Sequence, residues 1–258
     1  MQSLPKPLHV PMIKLLLSIA DDKLFLGHSN SNWTGLAPIL EADIAFSSLA
    51  QDDIAHAGAL YELVEELSET SADDIAFGRT ESEYTCAKIV TLRDNFNWAA
   101  AIARQFYCNH FDYCRLCRLS DATWKPLSNL ANRLKTEQAI HVDYVNSWIM
   151  HLGTGTKESK TKIQDALDSY SADASMLFEK PEGFKLLQSE GVLAHTDDFF
   201  NQWLESLQKV TSKSALTISI SPFDEQNQGG RIGVHSKDFQ ESLCELQEVY
   251  LQDPTATW

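Results

Sequence analysis

The chain opens on a Pro-rich lead-in (Pro5, Pro7 and Pro11, within residues 1–11). It then settles into apolar residues recurring every three or four positions, the period of a helix with one buried face. The pattern predicts helices over roughly 12–28, 36–69, 81–92, 95–119, 123–152, 157–178, 196–211 and 235–251. Boundaries are legible: Gly35 with Pro38 opens the second helix, and Gly153 with Gly155 follows the fifth. Residues 215–221 (ALTISIS) alternate as a strand would, yet no second run of that kind offers a partner. Residues 212–234 are therefore expected to form an extended arm ending in a flexible turn, Gly229-Gly230-Arg231-Ile232-Gly233. As a phosphate loop that turn lacks the Lys-Ser/Thr ending and the preceding strand. With no repeat and no linker, the expectation is one all-α domain over residues 1–258.

The apolar stripes turn polar at one depth. In the second helix the stripe runs Leu49, Asp53, His56, Leu60, Leu63, Leu67. In the fifth it runs Leu127, Leu130, Leu134, Gln138, His141, Val145, Trp148. Glu137 is displaced by about 100° around that helix and is not the inward residue. The fourth passes Ile102, Phe106, Asn109, Tyr113 and Leu116, and the first passes Leu16, Ile19, Lys23 and Leu26.

This layout matches a ferritin-like four-helix bundle with additional helices. Di-iron proteins of that kind take one Glu from each of two helices and Glu-x-x-His from each of the other two. The corresponding residues here are Lys23, Asp53-x-x-His56, Asn109 and Gln138-x-x-His141. Four carboxylates would balance two ferrous ions, whereas this set offers Asp53 alone and Lys23 adds a positive charge. Two Fe²⁺ would leave about +4 uncompensated, a prohibitive charge to bury. Lys23 can instead stand where a cation stood, paired with Asp53 and ringed by hydrogen-bonding His, Asn and Gln. For any one His, local satisfaction by backbone or water is the simpler account; six residues at matching helix positions favour the shared one.

Composition narrows the partners. Among 258 residues, Lys plus Arg number 21 against 36 Asp plus Glu, a net charge of −15. That argues against a general nucleic-acid binder and against attraction to anionic lipid. Eleven Gly are few for an all-β protein full of tight turns. The early apolar run, residues 12–20, is interrupted by Lys14, ended by Asp21-Asp22 and too short to span a bilayer. No small-residue cleavage site follows it. Cys86, Cys108, Cys114, Cys117 and Cys244 have no framework spacing, so reduced cytoplasmic thiols are expected. Cys114-x-x-Cys117 falls on a helical pattern without a second pair, and packing explains it better than zinc or redox chemistry. His28, His110, His151 and His195 are expected at helix ends or exposed faces. Asp73-Asp74 and Asp197-Asp198 are expected at helix starts, where carboxylates complement the dipole. Most of the acid is expected on helix surfaces.

At these residues the chain resembles the oxygenase subunits of phenylacetyl-CoA epoxidase, most closely the C-type subunit. The carrying segments are Asn32-Trp33-x-x-x-Ala37-Pro38 leading into Gln51-Asp52-Asp53-x-x-His56, and Ala103-Arg104-Gln105-Phe106-Tyr107. They continue with Glu137-Gln138-x-x-His141 before Trp148, Gly229-Gly230-x-x-Gly233-x-His235, and a chain ending in Trp258. Singly these motifs are weak; their order over roughly residues 14–258 is specific. The resemblance implies a multicomponent bacterial oxygenase with an iron-bearing catalytic subunit that binds the CoA thioester and a separate iron–sulfur flavoprotein reductase. The C-type subunit is implied to be a metal-free structural partner. The catalytic relative is implied to have Glu at the positions of Lys23, Asp53 and Gln138, and Asp at that of Asn109. All four differ here, one conservatively.

Three functions follow. The first is a non-catalytic subunit, with no cofactor of its own, docking on the iron-bearing subunit of the same complex; 6 Trp, 7 Tyr and 12 Phe could furnish such an interface. A homodimer of the isolated chain remains open. The second is a stand-alone ferritin-like metalloenzyme using Asp53, His56 and His141, since two His and a carboxylate can form a facial triad for Fe²⁺. The third is a helical protein with neither metal nor oxygenase partner.

Overall fold

A computed structural model describes residues 4–194 and 198–255. The described residues are all-α, the class of a ferritin-like helical bundle with additional helices, and contain no strand. They fall into two compact units. No helix among them is long and apolar enough to cross a membrane.

The first unit comes from the stretch up to Arg93, Lys180–Glu190, and the stretch from Gln228 on. Its frame is a hairpin of two long helices, α1 (His9–Ser31) and α2 (Leu40–Ser68). The Pro-rich lead-in is shorter than expected: a 3₁₀ turn at Lys6–Leu8 runs directly into α1. Pro11 sits in the first helical turn of α1, where its missing N–H costs nothing. Gly27 sets the approach of α1 to α2, since a Cβ there would stand 2.9 Å from the Ala50 carbonyl oxygen. α2 begins at Leu40, with Glu41 and Asp43 in its first turn complementing the dipole. α3 (Ala72–Phe77) is N-capped by Ser71 and carries Asp73 and Asp74 in its first turn, as expected of those acids.

The helix expected over 81–92 is absent. In its place stand a 3₁₀ turn at Glu81–Glu83, an extended run over 84–87 and a single turn, α4 (Lys88–Thr91). The cause is tertiary: the Thr85 and Ala87 N–H groups donate to the carboxylates of Asp21 and Asp22 at 2.7 and 2.8 Å. Backbone donors spent on those side chains are lost to a helical ladder.

The second unit spans Asp94–Glu179 and Gly191–Asn227. It too is framed by a long hairpin, α5 (Trp98–Leu119) and α6 (Lys125–Thr154), to which α7 (Lys157–Ala174) and α9 (Phe199–Thr211) are added. The first unit is completed by α8 (Phe184–Ser189) and α10 (Lys237–Gln247), and Phe25, Tyr84 and Phe239 form its aromatic centre, with ring centroids 4.8–5.8 Å apart. In the second unit, α5 starts three residues later than its pattern suggests, because Asn95 and Phe96 are left-handed (φ 50° and 56°). Asn97 then caps it, accepting from Ala99 and Ala100 N–H. Thr156 caps α7 in the same way. Phe111, Phe178, Phe199 and Trp203 form this unit's aromatic core. The ALTISIS stretch has no regular structure; the Gln164 carboxamide pairs with the Thr217 N–H and C=O at 2.9 and 2.8 Å. A side chain thus stands in for the missing neighbour strand.

Candidate functional site

The six inward polar positions divide evenly between the two hairpins. In the first, Lys23 lies on α1, and Asp53 and His56 lie one turn apart on α2. Lys23 Nζ donates to Asp53 Oδ1 at 2.8 Å, with side-chain exposures of 1% and 0%. Gly27, one turn beyond Lys23, brings the backbones together at this level: a Cβ on it would lie 3.1 Å from Asp53 Cβ. His56 is buried on the same face of α2.

In the second hairpin Asn109 lies on α5, and Gln138 and His141 lie on α6, all fully buried. Gln138 Nε2 donates to Asn109 Oδ1 at 3.2 Å and approaches the Asn109 carbonyl at 3.4 Å. Gln138 is the inward residue and Glu137 is only half-buried. The donor set is one carboxylate with its own ammonium partner, two imidazoles and two carboxamides that bond each other. Among the described residues no cluster of three or more His, Cys, Asp or Glu is placed to hold a metal ion.

A further buried charged cluster is one that the sequence pattern did not single out. Asp21 and Asp22 read as the end of an apolar run, yet α1 is buried nearly all round and both carboxylates lie in the interior of their unit. Asp21 accepts from the Tyr61 hydroxyl at 2.7 Å and from Thr85 N–H, and is ion-paired with Arg79. Asp22 is gripped by Arg231, Nη1 to Oδ1 at 2.8 Å and Nη2 to Oδ2 at 2.7 Å. Arg231 Nη1 also donates to the Ser18 and Thr85 carbonyls. Burial, reinforced by the Asp21 charge, holds the Tyr61 phenol well above its ordinary range and does the same to the Cys86 thiol. The available signal was three successive charged residues, Asp21-Asp22-Lys23, within an otherwise apolar helix.

Four carboxylates, Asp21, Asp22, Asp53 and Asp112, are buried, each with a cationic partner. One expectation is corrected: the Gly229–Gly233 stretch is a packed anchor, not a flexible turn. A Cβ on Gly230 would meet the Cys86 carbonyl oxygen at 1.8 Å, one on Gly233 would meet the Ser82 carbonyl oxygen at 2.2 Å, and His235 Nε2 bonds the Tyr84 carbonyl at 3.0 Å.

The remaining histidines and cysteines separate by environment. His110 is buried, against expectation, with ring nitrogens 2.8 Å from Ser206 Oγ and Asn146 Oδ1. Burial pushes its pKa down to about 4. His28 is half-buried and shifted down for the same reason, while His151 is exposed as expected. Cys114 and Cys117 are half-buried free thiols, and burial raises the Cys114 thiol to about 11. Asp198 is the N-cap residue of α9. His195, Asp197 and Trp258 lie outside the described residues.

A family model described as "Phenylacetic acid catabolic protein" matches residues 2–258. The chain is also 25% identical over 243 residues to the C subunit of the 1,2-phenylacetyl-CoA epoxidase of Escherichia coli (strain K12), a match covering 94% of this chain and 97% of the relative.

Proposed function

The chain belongs to the phenylacetic acid catabolic protein family, and from that premise we propose that it is the non-catalytic, C-type subunit of a multicomponent phenylacetyl-CoA 1,2-epoxidase. It pairs in the cytoplasm with the iron-bearing subunit of that complex and carries no metal of its own. The Lys23–Asp53 contact carries the proposal. A di-iron centre needs four carboxylates, and the six residues here offer one, already neutralised by an ammonium 2.8 Å away. Displacing that ammonium with iron would strand a buried positive charge and leave two cations facing carboxamides and imidazoles, an unfavourable exchange. The residues do not fit a di-iron group. Each set of degenerate positions instead ties its own hairpin together, and no reaction step is assigned to them.

A mononuclear metalloenzyme using Asp53, His56 and His141 would require Asp53 to give up Lys23, at the cost of parting a buried ion pair. Two measurements test the proposal. Protein expressed with ample iron should carry less than about one-tenth of an equivalent of any transition metal, and it should form a stable complex with the iron-bearing subunit at micromolar concentration. Stoichiometric iron in the isolated chain, or failure to form the complex, overturns it.

A further inference from the structure

We propose that the outer face of the N-terminal half of α2, with the loop leading into it, is the docking surface for the partner subunit. The occupant is a protein with an apolar helical face ringed by Lys and Arg. The inference rests on the subunit role proposed above and adds to it the place of contact.

The first observation is the exposure of large aliphatic side chains in one short stretch. Leu36, Ile39, Leu40 and Ile44 are each more than half exposed, Leu40 at 70% and Ile44 at 62%, and Ile54 follows further along the helix at 42%. Four such side chains present on the order of 400 Å² of apolar surface, as large as the biggest patches on monomeric proteins. That is half of the roughly 800 Å² that each partner contributes to a stable interface, which suits its apolar centre.

The second observation is that the display is built rather than loose. Trp33 is buried edge-on against Phe46, ring centroids 6.4 Å apart, and anchors the loop. Gly35, at φ 81°, turns the chain, and its N–H donates to Asp43 Oδ1 at 2.6 Å. Thr34 and Ser47 hydroxyls bond at 3.0 Å. These ties fix residues 33–39 to α2 while leaving Leu36 and Ile39 in solvent, so little ordering entropy remains to be lost on binding. They also give a role to the Asn32-Trp33-x-x-x-Ala37-Pro38 motif, which the six inward positions leave unexplained.

Charge chooses the occupant. No Lys or Arg occurs between Lys23 and Arg79, and Glu41, Asp43 and Asp52 lie in the same half of α2. A second copy would bring two acidic stretches of a chain carrying −15 against each other, which like-charge repulsion disfavours. A partner with basic residues around an apolar face is attracted at the rim and buries the aliphatic centre.

The test is titration of the wild-type chain and two variants with the purified iron-bearing subunit of the same organism, by calorimetry and light scattering. Leu40→Arg/Ile44→Arg changes only exposed side chains. Ile140→Arg, at a comparably exposed position on α6, is the control. Circular dichroism melting shows that each variant folds. The expected result is a dissociation constant at least about 100-fold weaker for the double variant and unchanged for the control. Wild-type affinity in the folded double variant overturns the placement and leaves the subunit role intact. Absence of any complex with the wild-type chain overturns the subunit role and the placement with it. A wild-type homodimer that the double variant dissociates, with binding to the iron-bearing subunit unaffected, assigns the face to a second copy and overturns the proposal.

Discussion

Arg231 closes a bidentate ion pair on Asp22 across 209 residues of chain, with N–O distances of 2.8 and 2.7 Å and both side chains buried. Planar guanidinium and carboxylate meet in register, and the second N–H of Nη1 is shared between two backbone carbonyls, which offsets part of the desolvation cost. Arg231→Ala takes from buried Asp22 the guanidinium that balances its charge. A loss of about 3–5 kcal/mol is expected in urea unfolding. Arg231→Lys should recover only part of it, because an ammonium cannot bond both carboxylate oxygens and both carbonyls in that geometry.

Removing Lys23 should expose the same asymmetry. Lys23→Ala strands Asp53 without its ammonium and should cost about 3–5 kcal/mol. Lys23→Met combined with Asp53→Leu removes both charges and should recover more than half of that loss. A single variant costing less than about 1 kcal/mol would mean that the pair is incidental to the first hairpin. Equilibrium denaturation of the four corners of the cycle supplies the comparison.

His110 predicts a pH dependence. Its partners, Ser206 and Asn146, are uncharged, so burial dominates and the folded pKa falls from 6.5 to about 4. Above pH 6.5 the ring is neutral in both states and its contribution is complete. As pH falls from 6.5 toward 4 the unfolded chain takes up a proton that the folded chain does not, and stability declines. The total loss is about 3 kcal/mol, of which about 2 kcal/mol is reached by pH 5. Unfolding free energies at pH 7.5 and pH 5 should show this drop, and His110→Gln should reduce the difference by that amount.

Two glycines should respond oppositely to the same change. Gly230→Ala drives a methyl into the Cys86 carbonyl oxygen, 1.8 Å away. Because backbone cannot yield as a side-chain tip does, a loss of about 3 kcal/mol or more is expected. Gly58 lies within α2, and beyond the adjoining backbone of that helix nothing stands within 4 Å of an added Cβ. Gly58→Ala should therefore stabilise by roughly 0.5–1 kcal/mol through helix propensity and reduced unfolded-state entropy. Thermal melts of the pair check the contrast.

Local pattern determined a good deal of this protein. The three- and four-residue apolar period located the long helices, because helix formation and burial of one face depend on residues a turn apart. The same period picked out Asp53, His56, Gln138 and His141 as inward, and separated Gln138 from its half-buried neighbour Glu137. It also let Lys23 be expected opposite Asp53, at the same depth of a neighbouring helix. It could not reveal what the other side chains meet: that Gln138 bonds Asn109, and that Asp21 and Asp22 are interior anchors, depend on helices brought together by packing. The helix expected over 81–92 failed for the same reason. Its propensity is worth tenths of a kcal/mol per residue, less than the charge-assisted bonds that Asp21 and Asp22 offer to the N–H groups of Thr85 and Ala87. Arg231 joins residues 209 apart, a distance over which no periodicity carries information. Burial of charge is a property of three dimensions, and only the tertiary structure could decide which carboxylates face water and which are held by a cation.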